Sequence, residues 1–506
     1  MLSKRYKKYG WANSLPEIPE SEITETIYTD VVVCGAGFAG CSTACRSSEN
    51  GLDVVVLEKG PTYSARGLHL GVADSKVMRS YGIKNNLEDL AVEWVHFSAS
   101  RADERLINLF LHRSGEAMDW LLEKCDKHGI TYDLYAGQYN GRSYKEYFGT
   151  HTFSVGVFGV VKMLLDEAVE NGAQVFFNTP VVNLVKDGEK VVGVIAGSDG
   201  HYRKYMASCG VVLATGGICG NKDMCEDLCP EALMGNNVLN EVAYQDTGDG
   251  HIMGINAGGI MQRAPFPCTV HSMAYTLFYF QHIIVDQEGR RFKNEDVWPQ
   301  GLTMAMYERC PERPWAYSIM DANWPKQVND TVDIAGGMYA DSVYRRVGED
   351  FNINMVVDTI ETEIIDGKYA VRADTLEELA EKIRVPKEQF MKTIARYNEL
   401  CRNGEDVDFG KRRELMFPLE QGPFTALRVG GSLMVVMGGL LIDDNMRVVD
   451  EDYYPIEGLY AVGNASGGLY AVDYPLVIPG NSHGRCLTWG YLAGNHLASR
   501  KIKTNA

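Results

Sequence analysis

The chain has 506 residues, 45% of them apolar and 23% charged, a balance that excludes a disordered protein and suits a globular one with a large core. Its formal net charge of −18 makes nucleic acid or an anionic membrane an improbable partner. At roughly 150 residues per domain the length predicts about two to four domains. The basic start, MLSKRYKKYGW, is followed by no apolar run, so no secretory leader is expected. No stretch reaches the roughly 18 apolar residues of a membrane span, and no membrane insertion is expected. The twelve cysteines show no C-x-x-C spacing; the pairs Cys41/Cys45 and Cys225/Cys229 read as small apolar residues on helices, with no metal. Free thiols in that number predict a cytoplasmic protein.

Residues 1–29 read as an extension that packs late or frays. The core is expected from Asp30, where VVVCGAGFAG opens a strand, glycine turn and helix, and VVVLEK follows as a second strand. Both valine runs suit strands buried on two faces. Gly35 would permit the tight turn, Gly37 would let a pyrophosphate approach the backbone, and Gly40 would let helix and strand pack closely. The phosphates would then sit at the positive end of that helix. Glu58, at the end of the second strand, is placed to accept hydrogen bonds from an adenosine ribose, which argues against a 2′-phosphate and hence against NADP.

After Lys59 the loop GPTYSARGLHLGVADS is rich in small residues, and a flat ring could approach its backbone. Residues 87–127 are periodic as helix. The segment ITYDLYAGQYNGRSYKEYFGTHT is too polar for core and too aromatic for a linker, as a substrate-facing lid would be. A helix over 157–171, a strand and a hairpin follow. The buried strand GVVL then ends in Ala214, Thr215, Gly216 and Gly217, small residues where backbone must approach something closely. Asp249 opens a further helix, where it could be only a cap. Near the C-terminus, Gly463 and Asn464 follow a buried strand, and Asn481 and Ser482 start a helix.

With these motifs in this order, and with IIVDQEGRRFKNE, GGLLIDDNMRVVD and GLYAVGNASGGLY added, the chain resembles the flavoprotein family of soluble fumarate reductases, urocanate-type reductases and 3-ketosteroid dehydrogenases. The resemblance runs from about residue 30 to residue 499. It implies an α/β fold: a Rossmann-like FAD-binding domain built from residues 30–263 and 434–506, with an inserted α+β capping domain at 264–433. It implies FAD as cofactor, held by Gly35, Gly37, Phe38, Ala39, Gly40, Glu58, Lys59, Val181, Ala214, Thr215, Gly216, Asp249, Gly463, Asn464, Asn481 and Ser482. The helix starting at Asn481 would offer its N-terminus to the negative charge of a reduced flavin. His69 lies in the loop where some relatives carry a covalent flavin, but the spacing matches poorly, and noncovalent FAD is expected.

The departures from the family pattern bear on the substrate. Pro299 stands where fumarate reductases carry the arginine that delivers a proton, and where the steroid enzymes carry a tyrosine. Tyr474 stands where an arginine clamps a carboxylate, and Met434 to Val436 are apolar where a histidine is usual. A small dicarboxylate would be left unpaired in such a pocket, at several kcal/mol per charge. A less charged, more apolar substrate is expected.

Tyr474 and, two residues later than in the steroid enzymes, Gly480 match the pair that hydrogen-bonds a substrate ketone. For proton transfer the candidates are His271, Tyr139, Tyr275 and Tyr279. A tyrosine serves as an acid without a depressed pKa, which tilts the expectation toward reduction of an enone or similar α,β-unsaturated carbonyl compound. The reverse dehydrogenation is the alternative, and an electron-transfer flavoprotein subunit a third reading. The electron donor or acceptor is expected to be a separate molecule, and the oligomeric state stays open.

Overall fold

A computed structural model describes residues 3–138, 141–142, 145–235, 237–238, 245–271, 282–334, 345–367 and 369–504. Its largest sheet has eight strands among the described residues. Along the main path they run Arg447–Val449, Pro455–Ala461, His201–Leu213, Ile23–Cys34, Val54–Leu57 and Gln174–Phe176. All neighbours on this path pair in parallel except Arg447–Val449, and the hairpin Val181–Asp187/Lys190–Ser198 joins antiparallel through His201–Leu213. Val31, Val32 and Val33 are fully buried because parallel strands are covered on both faces. They pair with Val54, Val55 and Val56 on one side and with Gly210, Val211 and Val212 on the other.

Two segments distant in sequence complete this domain. The strand Pro455–Ala461 sits beside His201–Leu213, and the terminal helix Asn481–Thr504 lies along the fingerprint helix Phe38–Glu49. Gly490 and Gly494 make that approach possible: a Cβ on either would come within 2.6 Å of Ser42 Cβ and 2.8 Å of Arg46 Cβ respectively. The stretch 87–127 is two helices, Leu87–Phe97 and Glu104–Lys127, because Asn86 and Asp103 each cap a new start with their side chains.

The N-terminal segment does not fray. Tyr6, Trp11 and Ala12 are buried in the main core, the Tyr6 phenol accepts from the Met261 amide at 2.7 Å, and Trp11 Nε1 donates to Asp227 at 2.8 Å. Strand pairing starts at Ile23, eight residues before the valine run that marks it in the sequence, since the intervening part is mostly polar and largely exposed.

Between the two halves lies a four-stranded antiparallel sheet, Ile283–Val285, Trp315–Met320, Phe424–Gly430 and Ala370–Ala373, backed by the helices Leu376–Ile383 and Lys387–Asn403. The GRRFKNE stretch serves here as an internal anchor. Arg291 pairs with Glu295 and Asp406, each at 2.8 Å, and Lys411 meets Glu295 at 3.2 Å with both side chains fully buried. The chain enters this region by the strand Cys268–His271 and leaves it by Ser432–Val436. These two strands pair with each other, antiparallel, His271 opposite Ser432 and Cys268 opposite Val436.

Candidate functional site

The fingerprint turn is built as its glycines require. Gly35 has φ +111°, and a Cβ there would meet the Ala214 carbonyl oxygen at 2.5 Å; a Cβ on Gly40 would stand 1.9 Å from the Gly35 carbonyl. At Gly37 a Cβ would meet only Ser64, at 3.9 Å or more, because this residue faces open space. The Glu58 carboxylate accepts from the amides of Ala36 at 2.8 Å and Gly60 at 2.7 Å, which fixes it beside the turn. Each oxygen retains acceptor capacity toward the cleft.

That cleft is open to solvent and holds about 1210 Å³ of space free of protein atoms, open solvent included. Of the sixteen residues proposed above to hold a cofactor, fourteen line it, from Gly35, Glu58 and Lys59 at one end to Gly463, Asn464 and Ser482 at the other. Gly40 and Asn481 stand behind the wall. Asn481 braces the loop before its helix, donating to Pro475 O at 2.6 Å and Ile478 O at 2.9 Å and accepting from the Tyr470 phenol at 2.7 Å. Asp249 does not cap its helix through its side chain: Lys59 Nζ, at 2.9 Å, and the Thr247 hydroxyl, at 2.8 Å, take its carboxylate.

Several lining residues carried no signal in the sequence. Arg66, in the loop read as having little side chain of its own, reaches into the cleft and forms an ion pair with Asp246. The pair is largely buried, with 17% and 8% of the side chains exposed, and it joins residues far apart in sequence. A lone arginine in a Gly/Ser/Ala loop was the one available hint. Met434 and Val435, noted above as apolar where a histidine is usual, supply an apolar wall, while His483 and Cys486, which carried no signal, continue the face begun by Ser482.

Tyr474 and Gly480 are not among the residues lining the cleft; Tyr474 is 4% exposed and its phenol oxygen accepts at 3.2 Å from the amide of Ser482, which does line it. Burial pushes its pKa up to about 12 despite that bond, so at neutral pH the phenol is a donor and no base. Gly480, at φ +80°, accepts from Gly71 at 2.9 Å through its carbonyl. His69 is outside the cleft lining; its ring packs edge-on against Tyr135, centroids 4.8 Å apart, and burial lowers its pKa to about 4. Pro299 is the first residue of the helix Pro299–Arg309. Tyr139, Tyr275 and Tyr279 lie outside the described residues, as does the side chain of His271, whose backbone pairs with Ser432.

The donor set fits FAD on its own evidence. A carboxylate stands at the ribose position, glycine leaves open space where a pyrophosphate would pass, and two helices, Phe38–Glu49 and Asn481–Thr504, begin at the cleft. Among the described residues no group of three or more His, Cys, Asp or Glu could hold a metal ion, and no helix is long and apolar enough to cross a membrane.

Comparison with known proteins agrees with this reading. The family model described as "FAD binding domain" matches residues 30–477. The vinyl phenol reductase of Lactiplantibacillus plantarum is 27% identical over 495 residues, covering 93% of this chain and 96% of that one. The urocanate reductase of Eggerthella lenta is 26% identical over 501 residues, covering 92% and 74%. Among solved structures, the 3-ketosteroid-Δ4-(5α)-dehydrogenase of Rhodococcus jostii RHA1 superposes with a TM-score of 0.70 at 22% identity, covering 96% of this chain and 99% of that one, which shows the shared fold.

Proposed function

The chain belongs to the FAD binding domain family, and from that premise we propose that it reduces the C=C bond of a bulky, largely apolar enone or related α,β-unsaturated carbonyl compound. It is an FAD-dependent oxidoreductase acting on CH–CH groups. When bound, the flavin supplies the hydride. The chain's own residues do the rest. In this reading the residue sets 30–263 and 434–506 hold FAD noncovalently, and the region 264–433 closes the substrate site.

The observation that carries the proposal is the environment of Tyr474. Its phenol oxygen is held by an amide of the terminal helix, which leaves its proton to donate to a carbonyl oxygen that gains charge in the transition state. Gly480 precedes the same helix, and no described group takes up its amide, so it can serve as the second donor. The arginine lining the cleft, Arg66, is neutralised by Asp246, and Met434 and Val435 are apolar, which disfavours a small dianion. A vinyl phenol, the compound in the name of the Lactiplantibacillus relative, likewise carries no carboxylate.

Anaerobic titration of dithionite-reduced protein with cyclic enones, steroid enones, vinyl phenols, fumarate and urocanate tests the reading. Reoxidation of the flavin by an apolar member of the panel is the expected result. Reoxidation by none of them would reduce the protein to an electron-transfer role.

A further inference from the structure

Pro299 cannot transfer a proton, yet the residue beside it points to one that can. Gln300 is fully buried in the helix Pro299–Arg309, and its Nε2 donates to Asp473 Oδ1 at 2.6 Å and to the Tyr474 carbonyl at 3.3 Å. Asp473 Oδ1 also accepts from the Tyr474 amide at 2.8 Å, while no described group donates to Oδ2. We propose that Asp473 is the proton donor to the substrate carbon in the reduction read above, and that Gln300 positions it.

A strained backbone supports this assignment. Asp473 N donates to Ala471 O at 2.6 Å, closing a three-residue turn whose centre, Val472, has φ +64°. That conformation is rare for a β-branched residue, and such strain is found most often at functional sites. The turn presents the Asp473 carboxyl and the Tyr474 phenol from consecutive residues, the first bonded to the helix Pro299–Arg309 and the second to Ser482, which lines the cleft. The carboxyl also has the right acidity: burial lifts it to about 7 against the pull of the Tyr474 and Gln300 bonds. Among the described residues its charge acts on Cys268. The Cys268 thiol is held well up by a hydrogen bond with Cys229, by burial and then by the charges of Cys229 and Asp473.

The step balances. The substrate's π bond breaks, its β carbon gains a hydride from the reduced flavin, and its α carbon gains the proton as the Asp473 O–H bond breaks. Tyr474 meanwhile donates a hydrogen bond to the carbonyl oxygen. The carboxylate left behind regains its proton from solvent between turnovers.

The proposal rests on the reductase reading, and the test separates the two. Wild type, Asp473→Asn and Gln300→Leu are compared for flavin content, for spectral binding of an enone to the oxidised protein, and for single-turnover flavin reoxidation across pH. Infrared difference spectra follow the protonated-carboxyl band of the oxidised, substrate-free protein over the same range. Asp473→Asn should lose about 100- to 10,000-fold in reoxidation rate with flavin content and enone binding retained. In wild type the rate should fall above a midpoint near pH 7, where the infrared band also disappears, and Gln300→Leu should shift both midpoints together. Asp473→Asn within threefold of a reactive wild type overturns the proposal alone. If Asp473→Asn does not fold, a rate midpoint and carboxyl band that Gln300→Leu leaves unshifted overturn it. A wild type that no enone reoxidises overturns the reductase reading and the proposal with it.

Discussion

The Ser482 amide donates to the Tyr474 phenol oxygen across 3.2 Å, linking the first turn of the terminal helix to the loop that precedes it. The helix thereby orients the phenol and polarises it. Tyr474→Phe should slow single-turnover reoxidation of the reduced flavin by about 100- to 1000-fold, the usual cost of one lost oxyanion donor. Substrate binding should weaken far less, and flavin content should stay at the wild-type level. A rate within about threefold of wild type would make Tyr474 a packing residue.

Gly37→Val should abolish FAD retention without unfolding the protein. The added side chain would enter the cleft, where a Cβ meets nothing nearer than Ser64 at 3.9 Å. Gly40→Ala should instead lower the yield of folded protein, since its Cβ would stand 1.9 Å from the Gly35 carbonyl. Flavin absorbance per folded protein, with circular dichroism on both variants, separates the two effects. Undiminished flavin in Gly37→Val would remove the cleft from consideration as the cofactor site.

Neither fumarate nor succinate should be turned over. Arg66 is committed to Asp246, Tyr474 carries no charge at neutral pH, and the neighbouring wall of Met434 and Val435 is apolar. Steady-state rates with either acid approaching that of the best enone would contradict this assignment of the substrate class.

Stability should depend on pH through Glu167. Burial raises the pKa of its carboxyl, but hydrogen bonds from Lys124, Lys127 and His128 outweigh burial and hold it at about 2, below the value of about 4.5 for a free glutamate. The folded pKa is depressed, so the contribution is complete above about pH 4.5 and is lost as pH falls toward about 2. Glu167→Gln should therefore cost on the order of 3 kcal/mol at pH 7. Denaturant melts of the two proteins should converge as the pH is lowered through this window. A difference that persists unchanged at the acid end would mean that Glu167 acts through packing.

The cofactor half was legible because its determinants are local. Three glycines, two valine runs and an acidic residue within one short stretch specify turn, helix and strands at once and fix the Glu58 carboxylate beside the turn. The lining residues that went unread depend on tertiary placement. Arg66 owes its position to Asp246, and Asp473 owes its environment to Gln300, partners too distant along the chain for any periodicity to pair. The N-terminal segment misled for a related reason: Tyr6 and Trp11 look like isolated aromatics in a basic run, and only their hydrogen bonds to Met261 and Asp227 make them core.

The pairing of Cys268–His271 with Ser432–Val436 makes the whole capping region, in effect, the loop of a β-hairpin. Everything inserted between His271 and Ser432 starts and finishes at adjacent, hydrogen-bonded backbone positions, so its length and content can change with little added loop-closure cost. Such an architecture makes the inserted region an exchangeable part: a different segment grafted between these two residues would leave the large sheet and its helices their own fold. One end of the graft is also a wall of the cleft, since Met434 and Val435 lie on the returning strand. A change in the inserted region would therefore reach the cleft through two side chains whose backbone stays fixed.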